Sequence, residues 1–365
     1  MSYFQRMLKM GNSMKIELEA PRLLREALAD VPGVERVDIT TPAESEGLSA
    51  DLLCRLRFHG REHVLMGEVK SNGQPRHVQT ALFQLKRQAQ AQTKDVVPLI
   101  FAPYLSEDAR ALCVEGEVGY FDLQGNARIA FPGFFLSRTT AGKPVAERRE
   151  LRSLFKPKSA AVLRRMLREP SRPWRVVELA TEAGVSVGHV SNVRGSLLDR
   201  GWAELADDGI FLTQPDGLLD AWRDEYAPPA GELLSRYTTL HGAGLDEALK
   251  RRANELPAGG FAILSAFSAA RWMAPYARVG VHSFYADRQG ADWLARAMGL
   301  VAAGRGANVE IRVVEDVDLL RDAIEPAPGI RCTSVVQTYL DLHAAGERGR
   351  EAAEHLRQEK LQWRK

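Results

Sequence analysis

Two acidic residues and a lysine in the first third of the chain have the side-chain types that hold a divalent cation and assist phosphodiester hydrolysis. Glu68 and Lys70 are two positions apart in an apolar run typical of a strand, so we expect their side chains on one face. Asp51 begins the preceding strand, and antiparallel pairing through the turn at residues 59–61 would bring it close to Glu68. Adjacent carboxylates repel unless a cation bridges them, and Mg²⁺ prefers oxygen ligands. We therefore predict a Mg²⁺ site formed by Asp51 and Glu68, with Lys70 orienting the attacking water or stabilising the transferred phosphate.

The position of this motif in the chain, rather than its residue types, makes it a candidate site. In a chain with 11 lysines and 47 acidic residues, one acid-x-Lys triplet is expected by chance. Glu68-Val69-Lys70, however, lies at the polar end of an apolar strand that begins at Val64. The motif is therefore a candidate site whose carboxylates must meet in space.

A second set of residues, between Val176 and Leu198, has the spacing of a helix-turn-helix. Ala180 is small enough for two helices to approach closely, Gly184 suits a left-handed turn, and Ser186 can cap the following helix. We expect one buried stripe on the second helix, made by Val185, Val190, Val193 and Leu197.

The opposite face of that helix carries polar residues near its N-terminal half. These side chains are of the types that contact base edges and phosphates in a major groove, and they are His189, Ser191, Asn192 and Arg194. Arg164, Arg165 and Arg175 are predicted to hold phosphates beside them. The alternative is a three-helix packing unit that binds protein.

The net charge of this part of the chain favours DNA binding over protein binding. The net charge of the 365 residues is only +2, but residues 148–200 carry 12 Lys or Arg against 5 acidic residues, a local net charge of +7. Such a basic stretch is typical of a surface that neutralises phosphates. A solvated charged surface in an arginine-rich protein would have the same composition.

One segment matches the sequence motif of serine hydrolases but not the secondary structure that the motif requires. Residues 184–188, Gly-Val-Ser-Val-Gly, match G-x-S-x-G, but that nucleophile turn requires a strand before it and here a helix precedes it. The eight histidines show no HxH or HExxH spacing, so a zinc site lacks support.

The elements around these residues predict a multidomain α/β and α+β protein. The first block has the order α-β-β-β-α-β-α-β-β, which implies a mixed sheet flanked by helices. In the second, three helices and a two-stranded hairpin indicate a winged helix. The third mixes helices at 232–254, 290–303 and 333–358 with strands at 279–286 and 308–314. Seams at residues 132–150 and 226–231 give the domains 1–140, 150–226 and 231–365.

The order of elements around Asp51 and Glu68-Val69-Lys70 resembles the core of the PD-(D/E)xK nuclease superfamily over about 90 residues. Ala50 stands where the family usually has proline, and Gln84 and Glu26 match its helical glutamine and first-helix glutamate. The resemblance implies a Mg²⁺-dependent DNA endonuclease with Asp51, Glu68, Lys70 and Gln84 as catalytic residues, or a nuclease-fold domain that only binds.

The helix-turn-helix and the block after it resemble AbiEi-type antitoxins of type IV toxin-antitoxin systems over about 200 residues. The likeness is one of pattern, in residues 262–276, 335–342 and 349–357. It implies a regulator that binds double-stranded DNA and whose C-terminal domain counters a nucleotidyltransferase-type toxin. The nuclease-like block at the front departs from that pattern.

Composition limits the remaining possibilities. Apolar residues make up 45% of the chain and charged residues 26%, as in soluble globular proteins. The longest apolar stretch is too short to cross a membrane, so no membrane partner is expected. Three scattered cysteines favour a reduced cytoplasm over a disulfide framework. Winged-helix regulators commonly bind paired half-sites, which favours a homodimer.

Overall fold

The computed structural model describes residues 12–29, 31–40, 50–90, 96–276, 280–315 and 318–363. The chain divides into two compact units. The first comprises residues 1–147 with 197–201, and the second comprises residues 148–196 with 202–365.

The first unit is a mixed sheet with helices, as the sequence predicts. Its elements in chain order are α1 (Asn12–Ala29), β1 (Val34–Thr40), β2 (Leu52–Phe58), β3 (Arg61–Val69), α2 (Pro75–Gln90), β4 (Val96–Ala102), α3 (Glu107–Glu115), β5 (Gly119–Asp122), β6 (Ala127–Phe131) and β7 (Phe134–Arg138). The seven strands lie in chain order across the sheet. Pairing is parallel for β3 with β4 and for β4 with β5, and antiparallel for the others.

Each face of this sheet has its own core. Residues four apart on α1, Ile16, Ala20, Leu24 and Leu28, pack with one set of alternating strand residues that includes Leu52 and Leu65. The residues between them, such as Met66 and Ile100, pack with α2 and α3. Because side chains alternate along a strand, Glu68 follows Met66 on the face that α2 covers.

The first helix begins at Asn12 and continues through Pro21, because the buried stripe from Ile16 holds its earlier turns against the sheet. One expectation for this unit needs correction. The stretch at 132–150 was expected to have no regular structure. It contains β7, which pairs with β6 through a turn at Gly133, and the start of a helix at Val145.

The second unit begins within that helix, and most of its elements before the seven-stranded sheet are helices. The elements that lead to the sheet are α4 (Val145–Leu154), α5 (Pro157–Arg168), α6 (Val176–Ala183), α7 (Val187–Asp199), β8 (Ala203–Ala206), β9 (Gly209–Leu212) and α8 (Pro215–Asp224). Strands β8 and β9 form an antiparallel hairpin. Residues 226–231 carry no helix or strand, and the elements on both sides of them belong to this same unit.

A second seven-stranded sheet follows. The elements are β10 (Glu232–Tyr237), α9 (Ala243–Arg252), β11 (Ala262–Leu264), α10 (Ala266–Met273), β12 (His282–Ala286), α11 (Arg288–Met298), β13 (Val301–Ala302), β14 (Val309–Val313), α12 (Asp318–Arg321), β15 (Ile324–Ala327), β16 (Ile330–Cys332), α13 (Val335–Ala344) and α14 (Glu347–Lys360). The strand order is β13-β10-β14-β12-β11-β16-β15. Strand β12 is parallel to β14, and β11 is parallel to β16.

The strands predicted at 279–286 and 308–314 are confirmed over the described residues as β12 and β14, whereas all three predicted helices were wrong in part. The helix predicted over 290–303 ends at Met298, and residues 301–302 form β13. Residues 232–237 form β10 instead of the first turns of a helix, because they pair with β14 and β13. The helix predicted over 333–358 is two helices. The helical conformation is interrupted at Gly346, whose φ of 86° does not fit a right-handed helix.

Candidate functional site

Helices α5, α6 and α7 and the β8–β9 hairpin form the region that the sequence relates to DNA, and apart from residues 197–201 this region belongs to the second unit. Gly184 ends α6 with φ 68°, a left-handed conformation that favours glycine. The Ser186 hydroxyl accepts a hydrogen bond from the backbone N–H of His189 at 3.2 Å, which caps α7. A hydrophobic stripe made by Val190, Val193 and Leu197 is buried.

The opposite face of α7 carries the four predicted base-contacting residues in different environments. Asn192 and Ser191 are exposed, and Arg194 is half-buried. The Ser191 hydroxyl donates to the carbonyl of Val187, which leaves its oxygen as an acceptor. His189 is half-buried, and its Nε2 lies 3.0 Å from the Ser159 hydroxyl on α5. Asn192 and Arg194 are therefore the two long polar side chains that this face offers to a ligand.

Of the three arginines predicted to hold phosphates, the structure leaves one exposed, Arg175. The predicted phosphate contact of Arg164 was wrong, because the residue is only 3% exposed. Its guanidinium lies 3.4 Å from Asp322 and 3.3 Å from the Gln337 amide oxygen. Arg165 is mostly covered, and its Nη2 donates to the carbonyl of Arg321 at 3.1 Å. The basic surface is therefore smaller than the local charge of the sequence indicates.

Two exposed valines on these helices were missed by the sequence reasoning. Val177 is 65% exposed and Val187 is 47% exposed, each near the start of its helix. Apolar groups at such positions can contact thymine methyl groups in a major groove. The sequence could have indicated their exposure, since both valines lie outside the predicted buried stripe.

In the first unit the structure brings Asp51, Glu68 and Lys70 together at one end of β3. Lys70 Nζ is 2.7 Å from Glu68 Oε1. The backbone N–H of Asp51 donates to the carbonyl of Gly67, and its Oδ2 accepts from the N–H of Val69 at 2.7 Å. Asp51 thus contacts the residues on both sides of Glu68, which places the two carboxylic residues next to each other.

The donor set of this cluster fits a hard divalent cation. Within the described residues, Asp51 Oδ1 and Glu68 Oε2 have no hydrogen-bond partner, while the other oxygen of each carboxylate is engaged. No group of three or more His, Cys, Asp or Glu residues that could hold a metal is found in the described part of the chain. Mg²⁺ is commonly held by one or two carboxylates with waters completing the shell, so two protein ligands suffice.

The two helical residues that the nuclease resemblance adds lie apart from each other. Gln84 is exposed on α2, whose inner residues cover the same face of the sheet as Glu68. One turn later, Gln88 is half-buried and its Oε1 has no partner in the described structure. Glu26 pairs with Arg22 at 3.0 Å on α1, which covers the other face. The structure therefore does not bring Glu26 to Glu68.

These elements describe a mixed α/β protein in which a helical region with a two-stranded hairpin is continuous with a second sheet. Residues 211–362 match a family model described as "Transcriptional regulator, AbiEi antitoxin, Type IV TA system". This match covers the end of β9, α8 and the second sheet with its helices. Searches of curated proteins and of solved structures found no significant match. In the described residues, no helix is long and apolar enough to span a membrane.

Proposed function

We propose that this protein is a DNA-binding transcriptional regulator that acts as an AbiEi-type antitoxin of a type IV toxin-antitoxin system. The observation that carries the proposal is the family match over residues 211–362. The helices α5 to α7 with the β8–β9 hairpin support a winged helix at residues 150–226, directly before and overlapping the matched segment.

In this proposal α7 enters the major groove of double-stranded DNA. Asn192 and Arg194 contact base edges or phosphates, with Ser191 and Val187 beside them, and exposed Arg175 holds a phosphate. The second sheet and its helices serve the antitoxin function against a nucleotidyltransferase-type toxin. A homodimer would place two α7 helices on paired half-sites.

The test is a fluorescence-anisotropy titration of the protein against DNA from upstream of its own gene, at several salt concentrations. The double variant Asn192→Ala with Arg194→Ala should bind at least about tenfold more weakly, because each good base contact contributes about 1–3 kcal/mol. Arg296→Ala, an exposed arginine on α11, is the matched control and should bind as the unchanged protein does. Binding that does not weaken with salt, or equal binding by the double variant, would contradict the proposal.

A second function is supported by the cluster at the end of β3. We propose that the first unit has a PD-(D/E)xK nuclease fold and that the cluster cleaves DNA, targeted by the winged helix. Asp51 and Glu68 would hold Mg²⁺, which supplies Lewis-acid activation of water. Lys70, held 2.7 Å from Glu68, would orient the water or stabilise charge on the phosphate, and Gln84 would contact the substrate.

Plasmid cleavage in Mg²⁺ or Mn²⁺ tests this second function. Asp51→Asn is a sharper variant than alanine, because its amide oxygen can still accept the N–H of Val69. Asp51→Asn and Glu68→Gln should each lose cleavage, whereas Glu62→Gln, an exposed glutamate at the other end of β3, should keep it. If all three variants nick plasmid equally, the cleavage comes from elsewhere and the nuclease assignment fails.

A further inference from the structure

Helix α2 in the first unit presents to solvent a stripe of residues that neither proposed function uses. Residues three or four positions apart on its outer side are Arg76, Thr80, Phe83 and Arg87, and all four are exposed. The opposite side of α2 is buried against the sheet and α3. The stripe therefore has an aromatic ring in its middle and a cation at each end.

The ring of Phe83 faces water and has no aromatic or cationic neighbour. It is 71% exposed, so most of a large apolar side chain gains nothing from burial. Within the described residues, no other ring and no cation lies over it. By contrast, the exposed ring of Phe135 on β7 has the Arg128 guanidinium 5.5 Å from its centroid. The Phe83 ring is therefore available to a flat partner.

The charges on α2 all have one sign. Its 16 residues contain three Lys or Arg and no acid. Lys86 and Arg87, near the C-terminal end, are exposed and form no ion pair in the described part of the chain, and exposed Glu115 at the end of α3 pairs with neither. At the other end, Arg76 lies 3.7 Å from Asp199, which partly neutralises it. The unpaired cations are therefore those that follow the ring.

An exposed ring beside unpaired cations is the combination with which proteins bind single-stranded nucleic acid, because the ring stacks on a base while the cations hold phosphates. A duplex keeps its base faces covered, so it offers Phe83 nothing to stack on. A protein partner would bury the ring at the centre of an apolar patch. The four residues one turn from Phe83 are instead all polar, and they are Gln79, Thr80, Lys86 and Arg87.

We propose that the outer side of α2 binds single-stranded nucleic acid, with Phe83 stacked on a base and with Lys86 and Arg87 on the phosphates. DNA and RNA share these groups, and the probes below distinguish them. The proposal depends on neither proposed function, because a single strand has no major groove for α7 to enter and stacking needs no metal ion.

Fluorescence anisotropy on the full chain in EDTA tests it, with labelled oligothymidine and oligouridine of about 12 nucleotides and a duplex of the same length. At least one single strand should bind, more weakly as salt rises, and the tighter one identifies DNA or RNA. Phe83→Leu should weaken that binding at least about fivefold, because leucine is apolar but cannot stack, whereas Phe83→Tyr should keep it. Duplex binding should not change. If neither single strand binds, the proposal is overturned.

Matched variants in the same unit separate this site from general effects of charge or exposure. Phe135→Leu removes an equally exposed ring and should have no effect. Lys86→Gln and Arg87→Gln should each lower the slope of log affinity against log salt by about 0.7, whereas Arg25→Gln, an exposed arginine on α1, should not. Equal losses from Phe83→Leu and Phe135→Leu would overturn the proposal.

The double variant Asn192→Ala with Arg194→Ala separates this site from the winged helix. It should bind the single strand as the unchanged protein does, even though its binding to duplex weakens. If it loses the single strand as much as Phe83→Leu does, the strand binds α7 and the proposal is wrong. Size-exclusion chromatography of Phe83→Leu covers the protein alternative, since a change of oligomeric state with unchanged strand binding would make Phe83 a contact between protein chains.

Discussion

The two units each contain an ion pair involving residues that the sequence singles out, and the two pairs differ mainly in burial. Lys70 and Glu68 are separated by 2.7 Å, and their side chains are 26% and 17% exposed. Arg164 and Asp322 are separated by 3.4 Å, and their side chains are 3% and 6% exposed. Water reaches the first pair and is largely excluded from the second.

This difference determines what each pair can do. A partly solvated pair costs little to form, and its free lone pairs stay available to a cation or a substrate. A buried pair has lost its hydration, so each partner depends on the other and on neutral donors and acceptors around it. Arg164 therefore belongs to the interior of the second unit, although its type and position in the sequence predict a phosphate contact.

The largest effect should come from removing one charge of the buried pair. Arg164→Met leaves Asp322 buried without its cation, and we expect a loss of about 3–5 kcal/mol in the free energy of unfolding of the second unit. Denaturant unfolding followed by circular dichroism measures it. Arg164→Gln with Asp322→Asn is the control, and it should lose less because no charge remains unpaired.

A result in which the single and the double variant lose equal stability would contradict this interpretation. It would mean that packing of the long arginine side chain, rather than pairing of its charge, stabilises the interior.

Sequence proximity explains why one pair was predictable and the other was not. Glu68 and Lys70 are two positions apart on a strand, so the alternation of side chains alone predicts their contact. Asp322 lies far along the chain from Arg164, and no local pattern connects them. The same limit applies to residues 232–237, where pairing with β14 overrides a segment that was expected to be helical.

Where local rules were sufficient, the predictions were close. The order α-β-β-β-α-β-α-β-β predicted for the first block is observed from α1 to β6, because the apolar runs there end at turn residues or caps. The roles of Asn192, Arg194, Asp51 and Glu68 remain predictions, since they depend on partners that a single chain does not contain. What the structure adds is their exposure and their neighbours.

An intermediate effect is expected for a second buried acid near Arg164. Burial raises the pKa of Asp341 to about 6, although Tyr226, Tyr285 and Gln337 donate hydrogen bonds to its Oδ1. Between about pH 4 and pH 6 the folded protein keeps a proton that the unfolded chain releases, so stability falls as the pH rises through this window. The total loss should be about 2–3 kcal/mol.

Asp341→Asn cannot titrate, and its amide oxygen can still accept the same hydrogen bonds. Its unfolding free energy relative to the unchanged protein should therefore increase between pH 4 and pH 7, as measured by denaturant unfolding at both values. A difference that stays constant with pH would show that Asp341 has an ordinary pKa in the folded protein, and that the interior is wetter than its burial indicates.

The smallest effect is expected from the partly solvated pair, Glu68 with Lys70. Measuring it tests most directly how this pair differs from the buried pair. Glu68→Gln should change the free energy of unfolding of the first unit by less than about 1 kcal/mol, because solvent screens the interaction with Lys70 and the glutamine oxygen can still accept its hydrogen bond. Thermal and denaturant unfolding beside Glu62→Gln measure it. A loss as large as that of Arg164→Met would mean that Glu68 is a structural residue, and a loss of DNA cleavage by Glu68→Gln could then no longer be assigned to chemistry. A small loss leaves the carboxylate free for the function proposed for it.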